Sequence, residues 1–177
     1  MRNIRAIRRY ITKSACEKLV HALISSRLDY ANSLLFGLPQ QRLNWLQSMQ
    51  NMAARLITGT GKFEHITPVL RALHWLPIKS RIEFKIIVLT FRILHGMAPA
   101  YLNDLITVQK SNRSLRSYSR SDLLIPKSRT KSYGDRSFSV SAPRIWNALP
   151  TSLRAEHNFD RFKRNLKTYL FSKSYGY

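Results

Sequence analysis

The stretch Ser26–Gly61, SRLDYANSLLFGLPQQRLNWLQSMQNMAARLITGTG, limits the choice of fold more than any other. Its two halves repeat apolar residues at helical spacing, and Gly37-Leu38-Pro39 separates them. Glycine accepts the left-handed residue that ends a helix, and proline suits the first turn of the next. The spacing therefore predicts a helical hairpin with its corner at Gly37. The first arm begins at Ser14-Ala15-Cys16-Glu17, which has the form of a capping box. It continues through Val20, Ile24, Leu28, Ala31 and Leu35. The second arm runs from Pro39 to Thr58, with Gly59 and Gly61 as its stop. It carries two apolar stripes, Leu43, Leu46, Ala53 and Ile57 on one, Trp45, Met49, Met52 and Leu56 on the other. Two stripes call for two neighbours, which puts this helix at the centre of a core. Arg27, Arg42 and Arg55 interrupt the apolar positions and give the hairpin a basic edge.

Charge sets what such an edge can meet. The 177 residues hold 30 Lys and Arg against 9 Asp and Glu, a net charge of +21, while 44% are hydrophobic. That hydrophobic share places the chain among globular proteins. An excess of positive charge this large favours a polyanion, through phosphate neutralisation and counterion release, and nucleic acid is the leading partner, with an anionic membrane surface as the competitor. No uncharged apolar run reaches membrane-spanning length, since Ile86–Leu89 is flanked by Lys85 and Arg92. The single cysteine, Cys16, allows no internal disulfide and no cysteine-built zinc site, and its apolar stripe makes it a buried thiol. An intracellular location, nuclear or cytoplasmic, is expected.

Around the hairpin the chain continues as short helices. Residues 2–11 place Ile4, Ile7 and Ile11 on one side and Arg2, Arg5, Arg8 and Arg9 on the other. No capping residue precedes this helix, so the sequence reads as starting inside an element of a longer parent. Thr67-Pro68 starts a short helix leading to Leu73-His74-Trp75. Pro77 opens a long one ending near His95, before Gly96 and Pro99. Its Arg81, Lys85 and Arg92 share a face. A further helical turn is expected over 99–106. Thr107–Arg136 changes character, with eight Lys or Arg, seven Ser and two interleaved Tyr. It reads as an exposed basic arm, with short strands near 115–126, one of them at Leu123–Ile125. Either it is a serine-rich linker or it orders on nucleic acid with Tyr118 and Tyr133 free to stack. Ala142-Pro143 and Leu149-Pro150 divide the next segment into short helical pieces. Asn158 then caps a closing amphipathic helix that turns Phe159, Phe162, Leu166, Tyr169 and Leu170 inward. The expected fold is all-α, a helical bundle in four parts: 1–61, 62–106, 107–136 and 137–177.

Catalysis finds little support in the residues. Two-metal phosphoryl transfer needs clustered carboxylates, and the acids here stand singly. Gly59-Thr60-Gly61 lacks the Gly-Lys-Ser/Thr of a phosphate loop, and the five histidines show no ligand spacing. No catalytic residue, metal site or cofactor is assigned.

Several segments do resemble a known family. SRLDYANSLLFGLP, LQSMQNMAARLITG and HITPVLRALHWLPIKSRIEFKIIVLTFRILHGMAPAYLNDL are similar to the C-terminal region of LINE-type (non-LTR) retrotransposon reverse transcriptases of the jockey and chicken-repeat kind. RSLRS, LLIP, YGDRSFSVSAPRIWNALP and FKRNLKTYLF continue the similarity in the same order, over nearly the whole chain. The resemblance implies a thumb, spanning the opening helix and the hairpin, followed by a post-thumb extension. It implies packing against template-primer RNA, DNA or hybrid, and a parent polymerase that needs Mg²⁺. The YxDD motif of the palm is absent here, so palm and fingers are missing partners rather than parts of this chain. Phosphate contacts are expected from Arg27, Arg42 and Arg55, from Arg81, Lys85 and Arg92, and from Arg113, Arg116, Arg120, Lys127, Arg129 and Lys131. The alternative is a stand-alone helical protein-interaction module or a non-functional retroelement remnant.

Overall fold

A computed structural model of the chain describes residues 2–109, 122–130 and 132–176. Among these residues every regular element is helical, and extended pairing is confined to one antiparallel bridge between Val108 and Leu123. The all-α expectation holds. Helices α1 (Arg2–Ile7), α2 (Lys13–Val20), α3 (Ser26–Asp29), α4 (Gln40–Thr58), α5 (Thr67–Ala72) and α6 (Ile78–Leu94) come first. Then follow α7 (Phe138–Asn147), α8 (Thr151–Arg154) and α9 (Phe159–Tyr175). Two compact units result, Met1–Ile82 with Leu170–Tyr177, and Glu83–Tyr169. These cuts differ from the expected boundaries at 61, 106 and 136, because the division falls within the long helices α6 and α9.

The first unit is built on α4. Thr12, not Ser14, caps α2, its hydroxyl accepting from the Ala15 amide at 3.2 Å. Glu17 points instead toward His21, 3.8 Å away. The arm widens into a π-helical turn at His21–Ser25 and ends at Asp29 rather than at Gly37. Ala31 then takes a left-handed backbone (φ 50°), and a 3₁₀ turn at Asn32–Leu35 leads to Gly37 (φ 70°). The corner therefore occupies the whole of residues 30–39. Helix α4 has the expected bounds, and Gly59 closes it in the left-handed conformation at φ 75°.

Ile4, Cys16, Val20, Ile24, Ala53, Ala54, Ile57, Leu70 and Trp75 form the core of this unit. Ala53 and Ala54 let α2 approach α4 closely, and Cys16 is buried there as expected. Only one of the two stripes on α4 is covered. Helix α4 does meet two neighbours, α2 and α5, but of the second stripe only Leu56 packs on the core, and Trp45, Met49 and Met52 are exposed. A polar pair does part of the anchoring instead. Buried Gln50 donates to the Leu76 carbonyl at 2.8 Å, and Gln47 accepts from the Ile78 amide at 2.9 Å, capping α6. The Tyr175 hydroxyl donates to the Trp75 carbonyl at 2.6 Å. Burial raises its pKa above the ordinary 10.0, against a smaller opposing pull from Arg81.

The second unit has an aromatic core. Phe91 stacks on Phe162 at 4.2 Å and on His95 at 3.9 Å, with Trp146 5.9 Å from Phe162. Helix α7 runs straight through Pro143, contrary to the expected division at Ala142-Pro143. Ala142, Pro143 and Trp146 are all buried, and that packing offsets the hydrogen bond a proline cannot donate. Pro150 does divide the segment, and the Asn158 carboxamide caps α9 by accepting from the Arg161 amide at 2.9 Å. Residues 122–125 are not simply exposed. Leu123 is buried, and the Asn147 side chain exchanges two hydrogen bonds with its backbone, at 2.9 and 2.8 Å. Arg154 pairs with Asp122 beside it.

Candidate functional site

The C-terminal end of α4 gathers four cations, Arg5, Arg8, Arg55 and Lys62. A helix end leaves carbonyls without partners and carries the equivalent of about half a negative charge. Arg8 covers it, donating to the carbonyls of Leu56 at 3.0 Å, Ile57 at 3.1 Å and Ile11 at 3.2 Å. Arg55 bends back along the following turn and donates to the carbonyls of Gly61 and Glu64. Each guanidinium has five N–H groups, so both keep donors in reserve while their positions are fixed. Two full charges against half a charge leave the site electropositive.

A cleft of about 590 Å³ opens over these groups. Arg5 and Arg8 wall it from the N-terminal segment, Met52, Arg55 and Leu56 from α4, and Lys62 from the turn beyond Gly59. No acidic side chain lines it; nearby Glu64 is turned to accept from the Gly61 amide at 2.6 Å. Four cations around an open cleft can hold an anion. No Ser, Cys, His, Asp or Glu is among its lining residues, and no group of three His, Cys, Asp or Glu able to hold a metal occurs among the described residues.

The residues expected to touch phosphate are not one cluster. Arg27 on α3 and Arg42 on α4 are exposed. Arg42 and Arg55 lie on the same helix but about 20 Å apart along its axis. Arg81 is engaged in the first unit: it grips Asp29 with contacts of 2.9 and 2.8 Å, donates to the Leu76 carbonyl at 3.1 Å and lies 5.8 Å from the Trp75 ring centre. In the second unit Lys85 is exposed, and Arg92 sits 4.9 Å over the Phe159 ring. Lys127 and Arg129 are exposed in an irregular segment. Arg113, Arg116, Arg120 and Lys131, together with Tyr118, lie outside the described residues.

Sequence reasoning missed the cleft because regular helical phase puts Arg2, Arg5, Arg8 and Arg9 together on the side opposite Ile4, Ile7 and Ile11. Helix α1 ends at Ile7 and tightens into a 3₁₀ turn at Arg8–Tyr10. Tightening changes the angular phase and swings Arg8 toward α4, while Ile7 is left exposed. The available signal was the glycine stop at Gly59, which marks a helix end needing donors. No family model, curated protein or solved structure matches the chain.

Proposed function

We propose that the chain binds RNA, DNA or their hybrid through phosphates, without base preference, as the thumb and post-thumb part of a LINE-type reverse transcriptase. The observation that carries the binding is the cleft walled by Arg5, Arg8, Arg55 and Lys62 in a chain of net charge +21. The family origin rests on the motif resemblance alone. On this reading the palm and fingers of the parent polymerase are the protein partners, and the location is nuclear or cytoplasmic. On the same reading the Mg²⁺ such a polymerase uses belongs with its palm, and this chain would bind nucleic acid without being an enzyme by itself. No helix among those residues is long and apolar enough to cross a membrane.

Binding of a labelled, mixed-sequence oligonucleotide across a salt series tests the reading. Four phosphate contacts alone predict a slope of log affinity against log salt of about −3 for a single strand. Affinity that stays flat as salt rises rejects it. A protein-interaction module is the second reading, favoured by the exposed Trp45, Met49 and Met52, and it predicts partner binding that survives high salt.

A further inference from the structure

Helix α4 enters the basic cleft carrying an apolar face that no described element covers. Trp45 is 81% exposed, Met49 42% and Met52 41%. Their spacing of four and three residues stacks them on one side of the helix, over about 10 Å. Met52 is also a wall of the cleft, so the stripe and the cations are continuous. Arg42, exposed, stands one turn before Trp45 at the other end. In the turn beyond α4, Phe63 is 95% exposed, with the Lys62 ammonium 5.7 Å from its ring centre.

We infer that this face of α4 is a track for single-stranded nucleic acid, with bases stacking on Trp45 and lying against Met49 and Met52 while the cleft cations hold the phosphates. The inference rests on the nucleic-acid reading above and narrows it. An exposed indole offers a flat π-surface, and every base can stack on one whatever its identity. Inside a duplex both faces of a base are already taken by its neighbours, so a duplex presents phosphates and groove edges to such a helix. Neither makes use of a bare indole followed along the helix by two thioethers. A protein partner is the rival occupant. An apolar centre with a charged rim suits a protein interface too, but the stripe runs into a cleft walled by four cations and no acid, which favours a polyanion.

The chain's own fluorescence makes the test specific. Of its three tryptophans, Trp75 is 5% and Trp146 1% exposed, so a ligand that stacks changes the emission of Trp45. The full chain is titrated with a mixed-sequence single strand and with the same sequence as a duplex, following label anisotropy and tryptophan emission together. The single strand binds more tightly and quenches; the duplex leaves emission unchanged. Trp45→Ala weakens single-strand binding on the order of tenfold, abolishes the quench and leaves duplex affinity alone. Trp45→Phe, which keeps a ring, restores most of the affinity. Replacing Arg5 and Lys62 by Gln together lowers the single-strand salt slope by about 1.4. A far-ultraviolet circular dichroism spectrum unchanged by Trp45→Ala establishes that the variant is folded. If folded Trp45→Ala binds the single strand as the parent does, the track is wrong while the phosphate reading stands. Self-association that depends on Trp45, with no quench by the strand, assigns the stripe to a second copy and also overturns the track. Absence of salt-dependent binding to either nucleic acid removes both.

Discussion

Two faces of α4 look alike in sequence and have opposite fates. One carries Ala53, Ala54 and Ile57, all at most 1% exposed, and packs under α2. The other carries Trp45, Met49 and Met52 and stays open. Hydrophobic periodicity says that a stripe exists; it does not say whether the chain supplies the cover. The buried face is small and tightly fitted, as close helix packing requires. The open face is large, polarizable and bordered by cations, a composition suited to a ligand with flat rings and negative charge.

If the contrast is real, stability and binding respond to different faces. The largest stability effect comes from Ile57→Ala, which opens a cavity in a fully buried site and lowers the unfolding free energy by about 3 kcal/mol in urea titration. A loss under about 1 kcal/mol places the core elsewhere. Next is Gln50→Ala, which removes one of the two donors to the Leu76 carbonyl, Arg81 keeping the other, and costs about 1.5 kcal/mol by the same measurement. Ala31→Gly relieves a left-handed alanine and raises stability by about 1 kcal/mol, seen as a higher denaturation midpoint with an unchanged slope. The smallest effect belongs to Trp45→Ala, within about 0.5 kcal/mol of the parent, because an exposed side chain loses little on truncation.

A pH series probes the covered side from its far end. Tyr175 is held neutral by burial and donates to the Trp75 carbonyl. Its folded pKa lies above the unfolded value, so its contribution is complete below about pH 10 and drains away as pH rises through the folded pKa. Stability of the parent therefore falls at that alkaline limit by more than stability of Tyr175→Phe, in thermal melts run side by side. Equal alkaline losses contradict the assignment.

What the sequence made legible was local. The bounds of α4, the Gly59 stop, the Asn158 cap and the break at Pro150 each depend on a few adjacent residues, and each was readable. Elements decided by distant partners were not. Pro143 stays helical because Ala142 and Trp146 are buried around it, and Arg8 turns inward because α4 ends where carbonyls need donors. The candidate site suffered most from this. Arg81 spaces well with Lys85 and Arg92 on a helix, yet in the fold it is clamped on Asp29, 52 residues away in sequence. Arg5 and Lys62 meet at one cleft only because the N-terminal segment and the Gly59 turn both fold over the end of α4.

The contrast between the two faces comes down to one titration. A mixed-sequence single strand added to the full chain at low salt should quench the emission of Trp45, and raising the salt should restore it as the phosphates are released. Emission that does not respond to the strand, or a quench that persists undiminished at high salt, contradicts the account.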